Sequence, residues 1–244
     1  MNEPVRLAKR LSQMIPCSRS QAEQYIEGGW VRVNGQVQES PQHKVSNEII
    51  ELDKNATLLA SVPMTILLHK PAGYEWGDGR KPAGELLMEV NRSAADHSGI
   101  SLLKRHFKDQ ACVTPLELGA SGLIVFTQDF RIHRKLWESA SLVENEIIVD
   151  VTGEVTEDTL LALNRPFIRH DRLQLHAKVA LSKRTEKITG LRFAVKGGEP
   201  GRIALVCEHM GLQIDAMKRI RVGRVPLSDL APGQWRFLSA HERF

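Results

Sequence analysis

Cysteine is scarce in this chain of 244 residues: Cys17, Cys112 and Cys207 are the only three, and they lie far apart. An odd, sparse set argues against a disulfide framework and fits a reducing cytoplasm. No pair has zinc-ligand spacing. The lone C-x-H of Cys207 and His209 falls short of the four ligands of a structural site, so no metal is expected. Long apolar runs are missing too. None approaches the ~18 residues of a membrane span, and the start, "MNEPVRLAKRLSQ", lacks the apolar core of a signal peptide. Internal repeats and low-complexity tracts are absent. Charge of either sign is nearly balanced, with a net +4. That mild basicity is compatible with a nucleic-acid partner and does not require one. Tyrosine is rarer still: Tyr25 and Tyr74 only, with none after residue 74. No aspartate occurs between Asp109 and Asp129.

What is present divides into a short first part and a long second one. In "VRLAKRLSQMI", Leu7, Leu11, Met14 and Ile15 fall at i, i+4, i+7 and i+8, one apolar face of a helix that Pro16 stops. Ser18 stands three residues before Gln21, the spacing of a capping box. Ala22, Tyr25 and Ile26 give a second helix its apolar side, and Gly28 and Gly29 end it. "WVRVNGQVQ" follows, a hairpin pattern around Asn34-Gly35. "EIIELD" reads as a closing strand. Arg6, Lys9 and Arg10 share one helix face, and Arg19 opens the second helix. These cations suit phosphates or simply solvate the helix. Composition does not decide, because residues 1–53 hold six Lys/Arg against seven Asp/Glu.

The stretch "RLAKRLSQMIPCSRSQAEQYIEGGWVRVNGQV" resembles the S-four RNA-binding module over about thirty residues. The resemblance implies that Arg6, Lys9, Arg10, Arg19 and Arg32 touch structured RNA.

"DKNATLLASVPM" then changes character, and Pro63 precedes a new apolar strand, "MTILLHKP". Three parts are expected: a domain over 1–53, a linker over 54–63 and a larger domain over 64–244. Further strands are expected in "SGLIVFTQD", "NEIIVDVTG", "LQLHAKVAL", "ITGLRFAVKGG" and "RIRVGRVPL", with helices around 84–92, 129–140, 156–164 and 201–210. The class is α+β, with a mixed or largely antiparallel sheet flanked by helices. Trp235 reads as core. "KRIRVGR" over 218–224 places Lys218 and Arg224 on one strand face and Arg219 and Arg221 on the other. One of those rows suits an RNA backbone; the alternative is an edge strand guarded by charge.

"LLHKPAGY", "TPLELGASGLIVFTQD" and "CEHMGLQIDAMKRIRVGRVPLSDLAPGQWRFL" are similar to three motifs of the pseudouridine synthases, in the branch that modifies ribosomal RNA through an N-terminal S-four domain. That family breaks the uridine glycosidic bond, turns the flipped-out base and rejoins it through carbon, without a cofactor. The resemblance implies a short catalytic carboxylate, an arginine two positions before it, a tyrosine on a later strand that stacks on the base, and a further basic group from an arginine-rich helix. Residue by residue, the aspartate falls on Glu117, the arginine on Pro115 and the tyrosine on Ile147; the helix motif leaves Arg202 alone. No shift of register supplies the aspartate or the tyrosine. Of the aromatics left, Phe126 and Trp137 fall on no position of the family pattern.

One extra methylene moves a carboxylate by roughly 1.5 Å, and a misplacement of about 1 Å can cost on the order of a hundredfold. Losing the arginine removes a partner that orients the acid. The expectation is therefore an RNA-binding protein of this family whose turnover is weak or lost, with Glu117 a bystander. The alternative is a divergent, active synthase that uses Glu117. The candidate RNA contacts are Arg6, Lys9, Arg10, Arg19, Arg32, Arg202, Lys218, Arg219 and Arg221. The expected partner is structured RNA, ribosomal RNA or a pre-ribosomal particle, met by a cytoplasmic monomer with no cofactor and no membrane attachment.

Overall fold

The computed structural model describes residues 3–58, 62–170, 172–197 and 199–244. The chain forms two compact units. One comprises Met1–Pro63 together with Ser101–Asp109, the other Met64–Ile100 together with Gln110–Phe244. Part of the expected linker over 54–63 lies outside the described residues.

In the first unit, strand β1 (Val5–Arg6) leads into helix α1 (Leu7–Met14), followed by helix α2 (Arg19–Glu27). Leu7, Ala8 and Leu11 of α1 pack with Ala22 and Ile26 of α2 and with Val31 and Val45. Met14 is half exposed rather than core, because α1 ends there: Ile15 is extended, as the residue before a proline prefers. The capping box forms, with Gln21 N donating to the Ser18 hydroxyl at 3.2 Å and Ser18 N donating to Gln21 Oε1 at 2.7 Å. β2 (Val31–Val33) and β3 (Gln36–Val37) make the hairpin, with Asn34 and Gly35 both at positive φ. Strand β4 (Lys44–Val45) pairs with β1, and β5 (Ile50–Leu52) closes a three-stranded sheet in the order β3-β2-β5.

The segment Ser101–Asp109 joins this unit although it follows the first strand of the other. Leu103 sits where a Cβ on Gly29 would come within 2.6 Å of its side chain, and Lys104 N donates to Glu39 Oε2 at 2.6 Å. No local sequence pattern announces that arrangement.

The larger unit is built on a nine-stranded sheet. β6 (Thr65–Lys70) is buried at every residue, and β7 (Ala111–Cys112) and β8 (Ser121–Thr127) follow. After helix α3 (Phe130–His133) come β9 (Glu144–Thr152), helix α4 (Glu157–Leu163), a hairpin of β10 (Phe167–Arg169) and β11 (Arg172–Leu175), and the strands β12 (Ala177–Arg184) and β13 (Thr189–Lys196). Helix α5 (Arg202–His209), β14 (Gln213–Val222), β15 (Val225–Pro226) and β16 (Trp235–Phe237) complete it. The order is β12-β13-β9-β14-β8-β6-β16, with β15 beside β14 and β7 beside β8. Only the β14–β8 pairing is parallel among these.

That pairing depends on Gly122. Its φ is +118°, and a Cβ there would lie 2.3 Å from Arg219 O. A side chain would push the two central strands apart.

Two helical expectations are corrected. Residues 84–92 form two short 3₁₀ turns, Ala83–Leu86 and Glu89–Asn91, separated by Met88 in extended conformation, whose carbonyl accepts from both Asn91 N at 3.0 Å and Trp235 Nε1 at 2.7 Å. Trp235 is fully buried, as expected of core. Residues 129–140 begin as α3, widen into a π turn at Arg134–Glu138 and finish in a 3₁₀ turn, Ala140–Leu142.

Candidate active site and nucleic-acid interface

Glu117 sits in the loop between β7 and β8, where Ala120 N donates to Glu117 O at 3.1 Å to close a turn. Two buried cations hold this loop by its backbone. Lys70, at the end of β6, is 0 % exposed, and its Nζ donates to Tyr74 O and Ala120 O, each at 2.7 Å, with longer contacts to Pro71 O and Leu118 O. Gly73 N adds a bond to Leu118 O at 2.7 Å. On the other flank Arg219 of β14 is 2 % exposed. Its Nε donates to Leu123 O at 2.7 Å, Nη1 to Pro115 O at 2.9 Å and Nη2 to Thr114 O at 2.7 Å.

Burial pushes the Lys70 ammonium down to about 8; the Arg219 charge adds to this, while Glu117 and Cys112 pull it back up. Burial likewise lowers the Arg219 guanidinium, to about 10, against the opposing fields of Cys112 and Glu117. Glu117 thus acts as a counter-charge to both. It forms no ion pair among the described residues. Its Oε1 instead accepts the backbone N–H of Gly201 at 2.7 Å, at the start of α5. A carboxylate there satisfies an open helix donor and complements the helix dipole.

Glu117 lines a cleft of about 330 Å³, with Ile147 of β9, Leu175, Val195 and Ile203 as apolar walls and His176, Lys196 and Arg202 among its polar ones. Ile147 is buried and offers no aromatic face. Phe126 is buried within β8 and cannot meet a base there. Arg202 pairs with Glu199. Pro115 contributes only its carbonyl, to Arg219. Pro115, Glu117 and Ile147, the three positions the resemblance singled out, therefore line one cleft, and Glu117 accepts from the backbone of Gly201.

The expected RNA contacts fare unequally. Arg6, Lys9, Arg19 and Arg32 are exposed and Arg10 is half-buried. Arg19 lies 3.7 Å from Glu23, and Arg32 donates to Gly35 O at 3.3 Å. Lys218 is exposed. Arg219 and Arg221 correct the expectation. Arg219 is inside the fold, and Arg221 donates to Glu144 at 2.6 Å and Glu146 at 2.7 Å. The register also shifts between Arg219 and Arg221, so the simple alternation across 218–224 does not hold. Lys70 belongs to the site although it is absent from the expected set. Its signal was a lysine ending the otherwise apolar strand "TILLHK". The Glu117–Gly201 bond spans 84 residues and leaves no local signal.

Comparison with known proteins agrees with this architecture. Residues 5–48 match the S4 domain, the S-four module named above. Over 244 residues the chain is 25 % identical to an uncharacterized RNA pseudouridine synthase of Aquifex aeolicus, covering 98 % of this chain and 94 % of that protein. It is 27 % identical over 245 residues to the dual-specificity RNA pseudouridine synthase RluF of Escherichia coli K12, covering 98 % of this chain and 77 % of the other. Among solved structures, a crystal structure of pseudouridylate synthase aligns with a TM-score of 0.59 at 18 % identity, covering 96 % of both chains. The fold is that of a pseudouridine synthase. The chain carries an N-terminal S4 domain and is a relative of the RNA pseudouridine synthases.

Proposed function

We propose that this protein binds structured RNA, ribosomal RNA foremost, and that uridine-to-pseudouridine turnover in its larger unit is weak or lost. The observation that carries this reading is the bond from Gly201 N to Glu117. The only carboxylate in the loop caps a helix, its neighbour two positions back is Pro115, and the facing strand position is Ile147. Affinity for RNA then rests on Arg6, Lys9, Arg10, Arg19 and Arg32, with Lys218 and Arg202 as further cations of the larger unit. The same reading extends to a cytoplasmic monomer acting on ribosomal RNA or pre-ribosomal particles. Among the described residues no helix is long and apolar enough to cross a membrane.

The second reading, a divergent synthase using Glu117, is favoured by one feature: the carboxylate lines an open cleft and lies in the field of two buried cations. The test incubates ribosomal RNA with wild type and with Glu117→Ala, then maps pseudouridine and measures binding. The expected result is salt-dependent binding by both proteins and no added pseudouridine. Pseudouridine made by wild type and lost in the variant favours the second reading. Binding that ignores salt removes the RNA reading altogether.

A further inference from the structure

We propose that the larger unit carries a stacking site for an unpaired nucleobase of RNA at Trp137 and Trp76, outside the Glu117 position. The proposal rests on the RNA-binding reading above and adds to it where a base is held.

Trp235 shows what a structural tryptophan looks like in this molecule: fully buried, with its Nε1 bonded to Met88 O. Trp137 is the opposite. It is 46 % exposed, and its indole N–H has no hydrogen-bond partner among the described residues. The chain presents it deliberately: Leu136 is buried in the core, and the π turn Arg134–Glu138, closed by Ser139 N to Arg134 O at 3.0 Å, turns the next residue outward. Such turns are frequent where a helix serves a site. Trp76, half-buried on the loop after β6, lies with its ring centre 6.0 Å from that of Trp137, tilted by 41°, and the His133 ring centre lies 6.4 Å from that of Trp137, tilted by 36°. Trp137 also walls a cavity of about 230 Å³ with Pro115, Leu136, Val143, Asn145 and Pro200.

Charge selects the occupant. Arg80 and Lys81 follow Trp76 on its loop, and Arg131 and Arg134 precede Trp137 on its helix. Arg80 and Arg131 are exposed and form no ion pair among the described residues, while Arg134 lies 3.7 Å from Glu138 and Lys81 sits over the Tyr74 ring. Glu75, Asp78 and Asp129 are further acids nearby in sequence; the Glu75 carboxylate accepts from Lys81 N and that of Asp129 from Arg131 N, each at 2.7 Å. Aromatic faces between cations suit a chain of bases linked by phosphates better than an apolar peptide, which needs no cations. Stacking is tolerant of base identity, since every base has a π face.

The test titrates the full-length protein with a short single-stranded oligouridylate and, in parallel, with ribosomal RNA, and follows tryptophan fluorescence and affinity. Wild type is expected to show saturable quenching. Trp137→Ala is expected to lose most of it and to bind the oligomer about tenfold more weakly, equally at low and high salt because no phosphate contact is removed. Trp137→Phe keeps affinity within about twofold, and Trp76→Ala gives an intermediate loss. Unaltered melting of Trp137→Ala confirms that the fold survives. If wild type binds ribosomal RNA and Trp137→Ala binds both probes as wild type does, the stacking site is wrong and the RNA-binding reading stands. If wild type binds neither probe, the RNA-binding reading itself fails.

Discussion

Arg6, Lys9, Arg19 and Arg32 of the S4 unit stand in solvent, whereas Lys70 and Arg219 of the larger unit are closed inside it, each spending its donors on backbone carbonyls in and beside the Glu117 loop. Arg221 is neutralised by Glu144 and Glu146. The lesson is that a basic residue can meet RNA only where its charged end is left in reach of solvent. A buried cation without its carbonyls would carry a large desolvation cost, so in the larger unit these charges are part of the fold. The loop is held largely by its backbone, with the Thr114 hydroxyl adding a bond from Val125 N at 2.8 Å. Pro115, Glu117 and Ile147 line a cleft beside this held loop.

The contrast can be broken by substitution, and Arg219 offers the largest effect. Arg219→Met removes a donor from each of three carbonyls and is expected to lower stability by about 3 kcal/mol or more, read by denaturant unfolding. An RNA affinity change with unaltered stability would place Arg219 back at the surface.

Lys70→Met is expected to cost about 2–3 kcal/mol at neutral pH. The pH dependence sharpens this. The folded ammonium titrates near 8 and its ordinary value is 10.5, so between these the unfolded chain holds the proton that the native state has released. Stability of the wild type therefore rises with pH across that window, and below it the term is flat. The gap between wild type and Lys70→Met should widen there by up to about 3 kcal/mol. A gap that is constant from neutral to high pH would mean that Lys70 is not desolvated.

On the exposed side, replacing Arg6, Lys9 and Arg10 together by Gln is expected to leave melting unchanged, to weaken RNA binding by about ten- to a hundredfold, and to flatten the salt slope by about 2 units. Unchanged gel shifts at low and moderate salt would remove that helix face from the interface. The smallest effect belongs to Glu117. Glu117→Ala should destabilise by about 1 kcal/mol through the lost cap at Gly201, and Glu117→Gln, which can still accept that hydrogen bond, by less. Equal costs for the two would argue against a capping role.

Local chemistry made much of the fold readable. The Ser18–Gln21 box, the Asn34-Gly35 turn and the alternating burial of β9 are each written in a few adjacent residues. What escaped depends on partners far along the chain. The carbonyls that claim Arg219 lie about a hundred residues away, Gly201 lies 84 residues from Glu117, and Leu103 reaches Gly29 from beyond β6. The alternation assumed for 218–224 failed at a bulge, which no period-two pattern reveals. At the cleft, the sequence reading singled out Pro115, Glu117 and Ile147, and the structure adds that all three line it and that Glu117 accepts a bond from Gly201 N.

The most direct test of the central claim uses RNA labelled with tritium at C5 of uridine, the hydrogen that leaves when the new carbon–carbon bond forms. With protein in excess over RNA, in a single-turnover format, wild type should release no tritium above the protein-free control while still retaining the RNA on a filter. Release by wild type that disappears in Glu117→Ala would contradict the account.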